Sequence, residues 1–305
     1  MKNSTVYGLM VLAALFWAGA FIAGKFTVPY IPVATLTFLR FFFAVVIMTL
    51  LFKVGGFGRD ENGELFRLEK KHIPFFIFTG IVGMLGYHLL FFTSLKYTTA
   101  INSSMINAMN PIMTTIFAGI LLKSRFSKIQ IFGIIMSFVG VVLTITGADV
   151  GVLTELTFNK GDIVMVGAML CWAVYGVFSK MKGAGIPAFW LTYYSFVSCM
   201  VFVSPLVLAE KPWTFIGNIP ASAWISVLYM SVFASVIGYM MQQVAIKKIG
   251  PSRTSIFINL VPVFSMILAV LILGETLEPV KLLTAALIIA GVCICQLSAN
   301  DRKDN

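Results

Sequence analysis

Ten apolar stretches divide the sequence, and each is long enough to cross a lipid bilayer as an α-helix. The hydrocarbon core is about 30 Å thick, so a helical crossing needs about 20 apolar residues. The apolar runs are continuous and lack the period-two alternation of a membrane β-barrel. The sequence therefore predicts an all-α integral membrane protein with ten transmembrane helices. The predicted spans, numbered 1 to 10 along the chain, are Val6–Phe26, Val33–Phe52, Pro74–Leu95, Ile101–Leu122, Ile129–Thr146, Asp162–Lys180, Ala188–Leu208, Ser222–Ile246, Ser252–Leu273 and Lys281–Leu297.

The composition is that of a chain whose solvent is lipid. Hydrophobic residues make up 59% of the chain and charged residues only 11%, whereas a soluble domain carries about 25% charged residues. The net charge of +10 does not indicate a nucleic-acid partner, because the basic residues lie in short connections and not in a stripe beside stacking aromatics.

The basic residues also predict the orientation in the bilayer. If the N-terminus lies in the cytoplasm, most of the 22 Lys and Arg residues fall in connections on that same side. An excess of Lys and Arg marks the cytoplasmic side. We therefore expect both termini in the cytoplasm and a multi-pass protein of the inner or plasma membrane.

The two halves of the chain repeat one pattern. Trp17 precedes Lys25 by eight residues, and Trp172 precedes Lys180 by the same spacing. Because each half has an odd number of spans, the second copy is inserted upside down. We predict inverted repeats at residues 1–147 and 162–298, joined by a connection at 148–161 and followed by a cytoplasmic tail at 299–305. Many secondary transporters have this architecture, with the substrate site near the midplane where the halves meet. Further matched pairs are Gly86-Tyr87 with Gly238-Tyr239, Ser104 with Ser255, Pro111 with Pro262, and Gly140 with Gly291.

Acidic residues are absent from the middle of every predicted span. All 12 lie in connections, at the termini or in the last turn of a span. No carboxylate pair is placed to hold Mg²⁺ or to act as acid and base, and the four cysteines lack the spacing of a zinc site. We therefore expect no enzyme activity, no metal and no cofactor. The alternatives to a transporter are a membrane-embedded enzyme acting on lipid and a channel.

Polar and aromatic side chains at mid-span are the candidate walls of a substrate cavity. Arg40 could bind a substrate carboxylate in bidentate geometry, or it could anchor the structure. His88 lies well inside span 3, where an ionisable residue indicates function; the alternative is a neutral histidine bonded to a neighbouring helix. Aromatic rings offer flat, amphipathic walls. The predicted cavity residues are Trp17, Arg40, Tyr87, His88, Asn107, Trp172, Tyr175, Tyr239 and Gln242.

Two kinds of small feature predict helix geometry. Pro111 and Pro262 occupy matching positions in spans 4 and 9, and each should remove a backbone hydrogen bond and bend its helix. We predict that these bends act as gates, although a purely structural kink is the alternative. Gly133, Ser137 and Gly140 share one face of span 5, which predicts close packing against another helix.

Six sets of short motifs occur in a specific order along nearly the whole chain. They are Phe16-Trp17-Ala18, Arg40-Phe41, Leu95-Lys96-Tyr97-Thr98-Thr99-Ala100 leading to Asn110-Pro111, Gly250-Pro251-Ser252, Val261-Pro262-Val263 and Leu273-Gly274-Glu275. Through them the chain resembles the EamA-type transporters of the drug/metabolite transporter (DMT) superfamily. One departure is Lys123-Ser124-Arg125, which stands where that family often has glycine-glutamate, so only Glu275 can supply the acid of this turn.

The resemblance implies a fold and a function. It implies ten spans, a central cavity between spans 1–4 and 6–9, and spans 5 and 10 packed outside it. It also implies export of amino acids, metabolites or toxic compounds. The inverted repeat indicates a secondary transporter that works by alternating access.

Overall fold

The computed structural model describes residues 3–55, 58–59, 66–121, 126–149, 151–152, 158–183, 185–249, 254 and 257–300, and these residues are dominated by helices. The prediction of an all-α membrane protein with ten spans in two inverted five-helix repeats is confirmed. The departure at residues 123–125 and the motif at residues 250–252 lie outside the described residues.

Spans 1, 2, 5, 6, 7 and 10 are continuous α-helices. Their bounds are Asn3–Thr27, Val33–Gly55, Lys128–Thr146, Lys160–Lys182, Ala188–Ala209 and Pro279–Asn300.

Spans 3 and 8 contain a π-helical segment at the same position in the repeat. In span 3 the π-helix covers Thr79–Gly86, and in span 8 it covers Met230–Ile237. A π-helix widens the turn and is often found at functional sites. The α-helical parts that flank these segments are Ile73–Phe78 and Tyr87–Tyr97 in span 3, and Ala221–Tyr229 and Gly238–Ile249 in span 8.

Spans 4 and 9 are interrupted where the sequence places the matched prolines. Span 4 consists of Ala100–Asn107 and Asn110–Leu121, and the second part of span 9 consists of Leu260–Leu268 and a π-helix over Ala269–Leu273. The eight helices that are long and apolar enough to cross a bilayer are the other eight spans. The interruptions therefore affect one matched pair of spans and no others in the described chain.

The halves interlock through their first spans. Span 1 packs against spans 8 and 9 of the second half, and span 6 packs against spans 3 and 4 of the first half. Span 2 packs against span 7. Phe41 of the first half stacks on Phe196 of the second half with ring centroids 4.5 Å apart, and both side chains are fully buried. The interface between the repeats is thus the centre of the molecule.

Spans 5 and 10 pack on each other through small residues, as the sequence predicts. A Cβ atom added at Gly133 would lie 2.6 Å from the Gly291 carbonyl oxygen, so the two backbones are in direct contact. Ser137 Oγ donates a hydrogen bond of 2.8 Å to the Ile288 carbonyl. Small residues permit this close approach in a bilayer, where van der Waals contact and hydrogen bonds drive helix association.

Gly291→Ala should weaken this helix pair. The new Cβ would meet Ser137 Oγ at 2.5 Å and the Gly133 carbonyl oxygen at 2.6 Å, and overpacking of this kind costs about 1–3 kcal/mol. We expect a lower thermal unfolding temperature of the purified protein in detergent. Gly8→Ala is the matched control, because no atom lies within 4 Å of its added Cβ; equal unfolding temperatures for the two variants would contradict the prediction.

Candidate functional site

Aromatic side chains from both halves meet in one cluster around Trp172. The ring of Trp172 lies 4.9 Å from Tyr87, 5.1 Å from Tyr175 and 6.4 Å from Tyr239, measured between ring centroids. Trp17 joins the group through an edge contact with Tyr239 at 6.2 Å. Each of these five residues is only partly buried. We call these five residues the aromatic cluster.

The π-helical segments position the aromatic cluster. Tyr87 directly follows the π-helix of span 3, and Tyr239 lies two residues after the π-helix of span 8. Trp17 Nε1 donates a hydrogen bond of 3.0 Å to the Ala234 carbonyl, inside the second π-helix. A Cβ atom at Gly238 would lie 2.8 Å from Trp17 Nε1, so this position must be glycine for the indole to fit.

Arg40 lies beside the aromatic cluster and joins the halves. Its side chain is 5% exposed, and its Nε donates a hydrogen bond of 3.0 Å to Ser235 Oγ in the π-helix of span 8. Ser231 Oγ, from the same π-helix, donates a hydrogen bond of 2.9 Å to the Arg40 carbonyl. Ser235 lies about one helical turn before Tyr239 in span 8, and the guanidinium carbon of Arg40 lies 5.9 Å from the centroid of the Phe41 ring.

His88 forms the edge of the same region, with a largely structural environment. It is 2% exposed, and its Nδ1 lies 2.7 Å from the Met84 carbonyl of its own helix. The imidazole packs edge-on against Phe41 and Tyr87, both at 4.8 Å. The hydrogen bond is therefore made within span 3 and not to a neighbouring helix.

The interruption of span 4 brings amide side chains to the cluster. Tyr87 Oη donates a hydrogen bond of 3.4 Å to Asn107 Oδ1, and Asn110 Nδ2 donates to the same oxygen at 2.7 Å. Asn110 Oδ1 is buried, and no partner for it lies among the described residues. Gln242 is partly buried, but no hydrogen bond or ring contact in the described chain joins it to this group, so its role stays a prediction.

The prolines lie at the start of a helical segment and not in a helix interior. Pro111 is the second residue of Asn110–Leu121, and Pro262 is the third residue of Leu260–Leu268. The amides of a first turn have no partner within the helix, so proline removes no helical hydrogen bond there. Each proline follows a break in its span, and the gating role stays a prediction.

One end of the bundle, which we call the Glu275 end, is held together by carboxylates of the second half. Glu275 accepts hydrogen bonds from the amides of Ala100 (2.7 Å) and Ile101 (3.1 Å) at the start of span 4. Glu210 accepts hydrogen bonds from the amides of Ala34 (3.0 Å) and Thr35 (2.7 Å) at the start of span 2. A carboxylate at a helix N-terminus is favoured by the free amides and by the helix dipole. No sequence signal pointed to Glu210.

Asp162 adds a further link between the halves at the Glu275 end. The sequence suggested a peripheral acid, but Asp162 lies in the first turn of span 6 and is 1% exposed. It accepts a hydrogen bond of 2.5 Å from Thr98 Oγ1 and one of 3.3 Å from Asn102 Nδ2, both in the first half. Lys25 Nζ donates to the Leu95 and Thr98 carbonyls, both at 2.9 Å.

Glu275→Ala should destabilise the protein by removing acceptors from the start of span 4. Loss of a helix cap costs about 0.5–2 kcal/mol, so we expect a lower unfolding temperature in detergent. Glu278→Ala is the matched control, because this glutamate lies in the same connection and is exposed. A Glu275→Ala variant as stable as Glu278→Ala would show that the cap contributes nothing.

The comparisons with known proteins agree with this architecture. The model of the EamA-like transporter family matches residues 4–146 and 159–296. A transporter of Bacillus subtilis, YyaM, is 32% identical over 96% of this chain and 93% of its own length. A protein of Streptantibioticus cattleyicolor named as a probable terminal-alkyne amino-acid exporter is 25% identical over 96% of this chain and 94% of its own. A solved crystal structure with 18% identity, which covers 98% of this chain and 99% of that one, has a TM-score of 0.63 and so shares the fold.

Proposed function

The chain belongs to the EamA-like transporter family, and we propose that it exports small metabolites by alternating access around a cavity between its two repeats. It is a multi-pass membrane transporter of small molecules. The observation that carries the proposed mechanism is the aromatic cluster, in which Trp17 and Tyr87 of the first half meet Trp172, Tyr175 and Tyr239 of the second. Inverted-repeat transporters bind their substrates between the halves.

The arrangement of the helices supports movement around this site. The repeats, residues 1–147 and 162–298, rock against each other, and the interrupted spans 4 and 9 absorb the change in angle. Opening the Glu275 end requires the hydrogen bonds of Asp162, Glu210 and Glu275 to the first half to break. Closing it restores them, so these carboxylates favour the closed state of that end.

Amino acids or related compounds are the proposed cargo. The Streptantibioticus relative carries the name of an amino-acid exporter, and the aromatic cluster offers apolar walls beside hydroxyl and amide groups. We place both termini in the cytoplasm and the Glu275 end on the outer face of the cell membrane, because most Lys and Arg residues then lie inside.

Transport by the purified full-length protein in proteoliposomes tests the proposal. We expect uptake of at least one member of an amino-acid and metabolite panel to saturate with concentration and to be accelerated by the same compound on the opposite side. Flux that rises linearly and shows no counter-transport would identify a channel. Release of a modified lipid by the same vesicles would favour the enzyme alternative.

Reporter fusions test the orientation. Fusions in the connection that includes Arg67 and after Lys182 should report the same side, the cytoplasm, because an inverted repeat puts both connections there. Reports from opposite faces would contradict the inverted arrangement.

A further inference from the structure

Arg40 is a buried cation, and no acidic side chain of the described residues forms an ion pair with it. Arg40 lies in the interior of predicted span 2, and its side chain is 5% exposed. It lies about six residues, or roughly 9 Å of helix, from the amides that Glu210 caps. The carboxylates of Asp162, Glu210 and Glu275 accept hydrogen bonds from first-half residues at the Glu275 end.

The described residues satisfy little of the hydrogen-bonding capacity of the Arg40 guanidinium. A guanidinium has five N–H donors, and in the described chain the one hydrogen bond of this group is from Nε to Ser235 Oγ, at 3.0 Å. A buried charge without an opposite charge or a full set of hydrogen bonds is strongly unfavourable. This cost makes an anion the expected partner of the four remaining N–H groups.

The surroundings of Arg40 define the rest of the occupant. Ser235, the hydrogen-bond partner of Arg40, lies about one helical turn before Tyr239 of the aromatic cluster in span 8. Tyr239 in turn contacts the indole rings of Trp172 and Trp17. A ligand whose anionic group reaches Arg40 therefore has its remaining atoms against apolar aromatic walls.

We propose that the transported substrate is an amphiphilic monocarboxylate, whose carboxylate pairs with the Arg40 guanidinium and whose apolar part lies in the aromatic cluster. This inference rests on the proposed transport function and names the chemical group that the site recognises. An arginine fork matches a carboxylate in bidentate geometry. A single negative charge on the ligand neutralises the charge of Arg40. An ammonium group on the substrate would find no carboxylate at mid-span, so the site does not require the substrate to carry one.

Calorimetric binding to the full-length protein in detergent tests the inference with three probes of one shape. The probes are 3-phenylpropanoate, its neutral amide 3-phenylpropanamide, and L-phenylalanine, which adds an ammonium group to the acid. We expect 3-phenylpropanoate to bind about 10- to 100-fold more tightly than the amide, the range for a hydrogen-bonded charged group, and at least as tightly as L-phenylalanine.

Two substitutions assign the preference to the guanidinium. Arg40→Gln should bind the acid and the amide equally, because the substitution removes the part of the binding free energy that depends on the charge of the ligand. Arg40→Lys keeps the charge but lacks the planar fork of the guanidinium, so it should retain part of the preference for the acid over the amide. If Arg40→Gln does not fold, Arg40→Lys takes its place in the test. Arg67→Gln removes an exposed arginine from the connection between spans 2 and 3 and should leave all three affinities unchanged.

Several results would overturn the inference. They are equal wild-type affinity for the acid and the amide, no binding of the acid, or an undiminished acid preference in both Arg40 variants. The proposed transport function fails separately, if the proteoliposome panel shows no saturable flux. Saturable flux of a compound without an acidic group, not inhibited by 3-phenylpropanoate, would leave the transporter proposal standing and reject the carboxylate.

Discussion

Trp17→Ala is expected to lower transport by roughly 30-fold at substrate concentrations well below KM, the effect of losing about 2 kcal/mol at a central aromatic contact. The indole forms one wall of the aromatic cluster through its contact with Tyr239 at 6.2 Å. It also ties span 1 to span 8 through the hydrogen bond to the Ala234 carbonyl. Alanine would remove both the wall and this link.

Initial uptake rates in proteoliposomes, normalised to the amount of folded protein, measure the effect. Trp213→Ala is the matched control, because this tryptophan is 65% exposed in the connection between spans 7 and 8; it should transport at the wild-type rate. Tyr239→Ala should resemble Trp17→Ala, because the same contact is lost. The site assignment is wrong if Trp17→Ala and Tyr239→Ala both fold normally and transport at the full rate.

A disulfide across the Glu275 end is expected to abolish transport reversibly. Thr98 and Asp162 belong to different halves, and their side-chain oxygens are 2.5 Å apart. Two short side chains in such contact bring their backbones near the Cα–Cα range of a disulfide, about 4.4–6.8 Å. A covalent link would hold this end closed, and alternating access requires each end to open in turn.

The variant Thr98→Cys/Asp162→Cys should transport after reduction and stop after oxidation. The measurement is uptake before and after an oxidant, followed by recovery with a reductant. Each single variant, treated in the same way, controls for the four native cysteines and for loss of the hydrogen bond. Full transport by a double variant with a demonstrated disulfide would mean that this end does not open during the cycle.

The ten spans and the repeat could be predicted because they depend on local properties. In a bilayer every backbone group must be bonded within its own helix, so a continuous apolar run is enough to specify a span. The paired positions of Trp17 and Trp172 and of Pro111 and Pro262 showed the repeat. They also indicated that the two halves contribute equivalent parts to one site.

Tertiary structure alone decided how these parts meet. The apolar run of span 3 predicts a continuous α-helix, yet the span is π-helical over Thr79–Gly86. Glu210 and Asp162 read as acids at the ends of spans in the sequence. They become links between the halves only when Thr35 and Thr98, far away along the chain, are brought to them. Contacts between distant residues depend on the mutual packing of whole helices, and no local pattern records that packing.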